Sequence, residues 1–208
     1  YLNNIMKKKI CILDYGSGNV ASVYNMINFL GFECKITNEN DYLEKSSHII
    51  LPGVGSYSAA MKKIKKKIFL KNLEKQVLKN NKPFLGICVG MQILSTKGYE
   101  FEICDGFGWI PGTVRKIKNK KLPHIGWNNI NLKNNSPLLK DLDMDQNFYF
   151  VNSYQFVPRN NEDVVSTTNY EEDFCSIIQK NNIFGVQFHP EKSQKAGQLL
   201  IKNFINLS

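Results

Sequence analysis

Four short apolar runs crowd the first half of the chain: KKICILDYG, FECKITN, HIILPGVG and KPFLGIC. Each has the length of a strand, and turn-forming residues separate them. Between the first two lies NVASVYNMINFLG, where Val20, Val23, Ile27 and Leu30 recur at helical spacing and Gly31 supplies a stop. Strands alternating with helices at such short intervals point to a parallel, doubly wound sheet with helices on both faces. Ile64, Ile68, Leu73 and Val77 in MKKIKKKIFLKNLEKQVLKNNK predict one further amphipathic helix, with lysines on its outer face.

The second half changes character. GTVRKI, HIGWNNINL, NFYFVNSYQF, DVVSTTNY and CSIIQKNNIFGVQFH are strand-like, with turn residues between them. They predict an antiparallel or mixed extension of the sheet, and AGQLLIKNFINLS returns to helical spacing at the end. No repeat or low-complexity linker interrupts the chain, so one α/β domain over residues 1–208 is expected. Met6 is a candidate start, which would make residues 1–5 an N-terminal extension.

The net charge of +9 raises nucleic-acid binding as a possibility to test. The excess is concentrated in the lysine-rich helix, and no aromatic residues interleave with it as a single-strand platform needs. Nucleic acid is therefore not an expected partner. No run of 18 apolar residues suggests a membrane span, and the first residues lack the pattern of a signal peptide. Cys11, Cys34, Cys88, Cys104 and Cys175 are odd in number and widely spaced, with no CxxC pair. A disulfide framework or metal site is not expected, and a cytoplasmic setting fits.

The chemistry centres on GICVGMQ. Cys88 ends a strand that turns at once into a helix, which would hold the thiol in an exposed elbow. Gly86 and Gly90 would make room for that tight crossing. A buried structural thiol is the competing reading. A thiol nucleophile needs a base, and the base needs an orienting group. His48 opens a strand and so stands at the wrong end, and His124 suits a structural or a functional role equally. His189 ends a strand in GVQFHPEKS. Pro190 would bar a helix there and keep the chain extended, so Glu191, two residues on, would point to the same side as His189. Cys88, His189 and Glu191 then form a candidate triad. LPGVGS can bring backbone N–H groups to a substrate, with Val54 N–H and then Val89 N–H as candidate oxyanion donors.

LPGVGS, GICVGMQ and GVQFHPEKS, in that order, resemble the class I (triad-type) glutamine amidotransferases. DYGSGN, GWIPGTV, LPHIGWN and YFVNSY narrow the resemblance to the glutaminase subunits of imidazole glycerol phosphate synthase. The resemblance covers almost the whole chain. It implies a flavodoxin-like domain without cofactor or metal that hydrolyses L-glutamine to glutamate and ammonia. It implies substrate contacts from Gly53, Gln92, Glu100, Ser153 and Tyr154. It also implies that a separate (β/α)8-barrel cyclase receives the ammonia in a heterodimer of histidine biosynthesis. Gly18, Asn19, Trp127, Tyr149 and Lys192 match the partner-facing motifs. One departure stands out: Asn152 replaces the histidine usual in FVHSY. That change keeps open an alternative, a paralogous glutaminase feeding a sugar amidotransferase of surface polysaccharide synthesis. A catalytically silent binding module is a further alternative, disfavoured by the complete triad.

Overall fold

The computed structural model describes residues 8–118, 121–143 and 145–207. Residues 1–5, the candidate extension, lie outside them. The first half alternates as the apolar runs predict: β1 (Lys9–Leu13), α1 (Val20–Phe29), β2 (Glu33–Thr37), α2 (Asn40–Lys45), β3 (His48–Gly53), α3 (Tyr57–Lys67), α4 (Leu70–Glu74), β4 (Phe84–Cys88) and α5 (Val89–Gln92). The second half supplies β5 (Lys97–Gly98), β6 (Cys104–Asp105), β7 (Gly112–Lys116), β8 (His124–Asn129), β9 (Asn131–Leu132), β10 (Asn147–Asn152), β11 (Tyr154–Pro158), β12 (Val164–Tyr170), β13 (Glu172–Lys180) and β14 (Ile183–Val186), then α6 (Gln194–Ile205).

The main sheet has the order β2-β1-β3-β4-β14-β13-β12-β9. The strands from β2 to β14 run parallel, and β14-β13-β12-β9 continue antiparallel. Every residue of β3, β4 and β14 is buried, so both faces of the sheet centre are covered. That continuous burial is why these strands read as unbroken apolar runs rather than as alternating ones. Fully burying one Ile, Leu or Phe side chain contributes about 2 kcal/mol.

The lysine-rich segment is not one helix. α3 ends at Ile68, whose backbone is extended (φ −107°, ψ 131°). α4 follows, and its continuation at Lys75–Lys79 is a π-type turn. The spacing explains the break. From Ile68 to Leu73 is five residues, and an unbroken helix of 3.6 residues per turn would put Leu73 about 180° round from Ile64. Breaking the helix re-phases it, so Ile64, Ile68, Leu73 and Val77 all reach the core while the lysines stay exposed.

NFYFVNSYQF also divides. β10 pairs with β8 in a two-stranded sheet, whereas β11 pairs with β7 in a separate four-stranded one. Ser153 is the residue between them. HIGWNNINL divides likewise, into β8 and the short edge strand β9.

Among the described residues no helix is long and apolar enough to cross a membrane.

Candidate functional site

The site is built on the carboxyl ends of three adjacent parallel strands, where open α/β sheets place their ligands. Register sets it. Gly53 of β3 lies opposite Cys88 of β4, and Ile87 lies opposite Val186 of β14. Cys88 is thus flanked by the β3 end on one side and by the Gln187–His189 exit from β14 on the other.

Cys88 has φ 55° and ψ −111°, an uncommon backbone for a residue with a Cβ. Such a conformation costs on the order of 1–3 kcal/mol and is kept only where the surroundings fix it. They do so here by close crossing. A Cβ on Gly86 would strike the Gly90 carbonyl, and one on Gly90 would strike the Leu51 carbonyl. Both glycines therefore let β4 turn straight into α5, and the Cys88 side chain faces a pocket although only 5% exposed.

His189 lies in the same pocket wall. Its N–H donates to the Tyr149 carbonyl at 2.9 Å, which ties it to β10. Its Nδ1 is 2.8 Å from Glu191 Oε1. Extended geometry does not bring that pair together, contrary to expectation. His189 is extended, but Pro190–Lys192 form a single 3-10 turn. Proline is well suited to the first position of a helical turn, because its φ is pre-set and its missing N–H is not needed there. Pro190 thus starts the turn that folds Glu191 back under the imidazole.

Burial alone would pull the His189 pKa down. Hydrogen bonds and charge from Cys88 and Glu191 outweigh it and lift the group from 6.5 to about 10. The imidazole therefore favours its charged form, with its Nδ1 occupied by Glu191 and the Cys88 sulfur among the groups that favour the charge.

The other two histidines have different surroundings. His48 is fully buried against Phe204, and desolvation together with Lys8 pushes its pKa down to about 4. His124 stacks between Phe150 and Tyr170, with its pKa lowered by burial. Neither lines the pocket that holds Cys88.

Val54, Val89, Gln92, Glu100, Ser153 and Tyr154 all line that pocket. Glu100 accepts the Tyr57 N–H at 2.7 Å, and desolvation raises its pKa even so. A partly desolvated carboxylate at the pocket wall is suited to pair with an ammonium group. Asn152 and Gln92 both donate to the Tyr154 carbonyl, each at 3.1 Å.

Gly53 differs from the expectation. It is covered, and it is absent from the pocket wall. An added Cβ there would lie 2.7 Å from both Gly90 N and Tyr15 Oη, so Gly53 packs the β3 end against the elbow. Its neighbours Val54 and Gly55 are what reach the pocket.

Asn19 also differs. Gly18 and Lys192 are exposed, Trp127 and Tyr149 meet edge to face, and Lys192 Nζ lies over the Tyr149 ring at 5.7 Å. The Asn19 side chain instead turns inward, 6% exposed. Its Nδ2 donates to Glu191 Oε1 at 3.1 Å, and its Oδ1 accepts the Ser17 hydroxyl at 2.9 Å. The chain from Ser17 through Asn19 to Glu191 supports the carboxylate that in turn supports His189. Asn19→Ala removes one hydrogen bond to a charged group, worth about 1.5 kcal/mol. About tenfold lower kcat for glutamine hydrolysis is expected, with KM within about twofold, in steady-state kinetics. An unchanged kcat would show that Glu191 is held without it.

Gln187, missed in the sequence, completes the arrangement. It is fully buried beside Cys88, with its Nε2 3.7 Å from the sulfur. The available signal was its position, two residues before His189 within GVQFHPE.

The family model described as glutamine amidotransferase class-I matches residues 11–207. A similar relative is imidazole glycerol phosphate synthase subunit HisH 2 of Methanococcus maripaludis, 43% identical over 94% of this chain and 98% of its own length. The subunit HisH of Lactococcus lactis is 41% identical over 95% of this chain and 98% of its own. Among solved structures, PurLQS from Thermotoga maritima aligns with a TM-score of 0.75 at 21% identity, covering 97% of this chain and 99% of that one. A glutamine amidotransferase, also from Thermotoga maritima, aligns with a TM-score of 0.68 at 15% identity, covering 97% of this chain and 99% of that one. These two structures share the fold.

Proposed function

The chain belongs to the class I glutamine amidotransferases, among the glutaminase subunits of imidazole glycerol phosphate synthase, and on that premise we propose that Cys88, His189 and Glu191 are its catalytic triad. The observation that supports the triad most is an ordered set: a thiol on a strained elbow and an imidazole with raised pKa share one pocket wall, and a carboxylate buried behind them lies 2.8 Å from that imidazole.

In the proposed cycle, the Cys88 sulfur attacks the side-chain amide carbon of L-glutamine. A carbon–sulfur bond forms and the carbonyl becomes an oxyanion, received by the Val54 and Val89 N–H groups. As the carbon–nitrogen bond breaks, His189 gives its proton to the leaving nitrogen, so ammonia departs and a γ-glutamyl thioester remains. His189, now neutral, takes a proton from water, which attacks the thioester and releases glutamate. Glu191 keeps the imidazole oriented and favours its charged form throughout. Glu100 pairs with the substrate ammonium, while Gln92, Ser153 and Tyr154 hold its α-carbon end.

The names of the relatives describe a subunit. We propose that the partner is a (β/α)8-barrel cyclase that receives the ammonia, docked on the face carrying Gly18, Trp127, Tyr149 and Lys192. An exposed Trp127 packed on a half-buried Tyr149, with a lysine over the tyrosine ring, is suited to such an interface, since rigid aromatic side chains bury large areas at low entropic cost.

The chain is mixed with a purified histidine-pathway cyclase, its nucleotide substrate and glutamine. Imidazole glycerol phosphate is expected at a rate at least about 10²-fold above that with glutamine and no glutaminase. A cyclase that turns over with added ammonia but gives no product from glutamine would assign the chain to a different acceptor, such as an activated sugar.

A further inference from the structure

Hydrogen-bond donors and acceptors fix the orientation of a buried amide chain that ends on the nucleophile. The Tyr154 carbonyl can only accept, so the Gln92 atom 3.1 Å from it is the nitrogen. The same nitrogen is 3.0 Å from Gln187, so the Gln187 atom facing it must be the oxygen. The remaining Gln187 atom, Nε2, then faces Cys88 Sγ at 3.7 Å, within reach of an N–H to sulfur hydrogen bond. No free choice of amide orientation is left. Gln92 is 3% exposed and Gln187 is fully buried, so the chain runs through a region of low dielectric.

We propose that Gln187 is a catalytic residue that donates an N–H to the reacting sulfur of Cys88 and ties that sulfur, through Gln92, to the glutamine-binding backbone at Tyr154. This rests on the reading of Cys88 as the nucleophile. A thiolate accepts an N–H better than a thiol does, so the donor favours the ionised form. It also restrains the sulfur: His189 lines the same pocket as Cys88, and Gln187 adds a second polar contact to the sulfur. With both its amide hydrogens committed, Gln92 can offer the pocket only its carbonyl oxygen, which suits the substrate's ammonium. Asn152 donates to the same Tyr154 carbonyl and so belongs to the outer end of the chain.

The test compares wild type with Gln187→Glu and Gln187→Met in the purified full chain. Iodoacetamide alkylation is followed against pH, with Cys88→Ser as the blank for Cys34 and Cys104. Gln187→Glu keeps the acceptor toward Gln92 but loses the donor to sulfur. Its alkylation midpoint should rise by about one pH unit or more, with the plateau rate at high pH within about twofold of wild type. At pH 7 kcat should fall about 10- to 100-fold, with a smaller change in KM. Gln187→Met should raise the midpoint as well. A wild-type midpoint in both folded variants overturns the proposal. In wild-type protein, where folding is not in question, the Gln187 side-chain amide protons should shift as Cys88 ionises. Constant amide resonances across that titration also overturn it. Alkylation of wild type no faster than that of the Cys88→Ser blank is a different failure, because no reactive Cys88 thiol is then present and the nucleophile assignment itself is removed.

Discussion

Cys88→Ala is expected to lower glutamine hydrolysis by at least about 10⁴-fold, because it removes the atom that forms the covalent intermediate. The fold should survive. The substitution deletes one buried sulfur, keeps a Cβ at the same backbone conformation, and touches neither glycine of the elbow. A stability loss of no more than about 1–2 kcal/mol is expected for a deletion of that size. Circular dichroism and denaturation would check the fold, and glutamate release would check activity. A second readout separates loss of the nucleophile from general damage. Because Cys88 contributes to raising the His189 pKa, the imidazole of the variant should titrate below about 10, while Glu191 alone keeps it from the full drop that burial would cause. Histidine NMR would show it. Substantial turnover in the folded variant would sink the nucleophile assignment, and an unchanged His189 titration would mean that the thiol and the imidazole do not interact.

Much of the sheet was legible because each central strand is buried on both faces. β1, β3 and β4 read as apolar runs without reference to any partner strand. The candidate triad was legible only in part: the glycines on both sides of Cys88 mark the elbow, whereas His189 and Glu191 meet through a 3-10 turn and not through the extended alternation that their two-residue spacing suggests. What stayed hidden depended on long-range register. Gln187 sits beside Cys88 only because β14, late in the chain, inserts next to β4. Nothing local to either segment encodes that adjacency. Asn19 is similar. In the sequence it matches only a partner-facing motif, yet its side chain turns inward to a carboxylate 172 positions away in the chain. The division of the lysine-rich segment was available in principle, since the five-residue step from Ile68 to Leu73 breaks the helical phase. The lysines masked it, because they are exposed in either arrangement.

Gly90→Ala is expected to destabilise the chain by about 3 kcal/mol and to cost more than about 10²-fold in glutamine hydrolysis. The sign is the informative part. In an ordinary helix, replacing glycine by alanine gains about 1 kcal/mol, because it removes backbone freedom from the unfolded chain. Here the new Cβ would occupy the position of the Leu51 carbonyl, part of the β3 backbone, and no flexible side chain can move aside to relieve it. Either β3 shifts or α5 lifts, and both motions displace Cys88, which is bonded directly to the first residue of α5. A misplacement near 1 Å is enough for the rate loss. Gly31→Ala is the control. Gly31 has φ +83° but open space around its Cβ position, so only the left-handed backbone is penalised, by about 1 kcal/mol, and activity should not change. Urea unfolding of both variants beside their glutaminase rates tests the claim. Wild-type stability in Gly90→Ala would mean that the elbow does not depend on the close crossing of β3 and α5, and the strained backbone at Cys88 would then need another support.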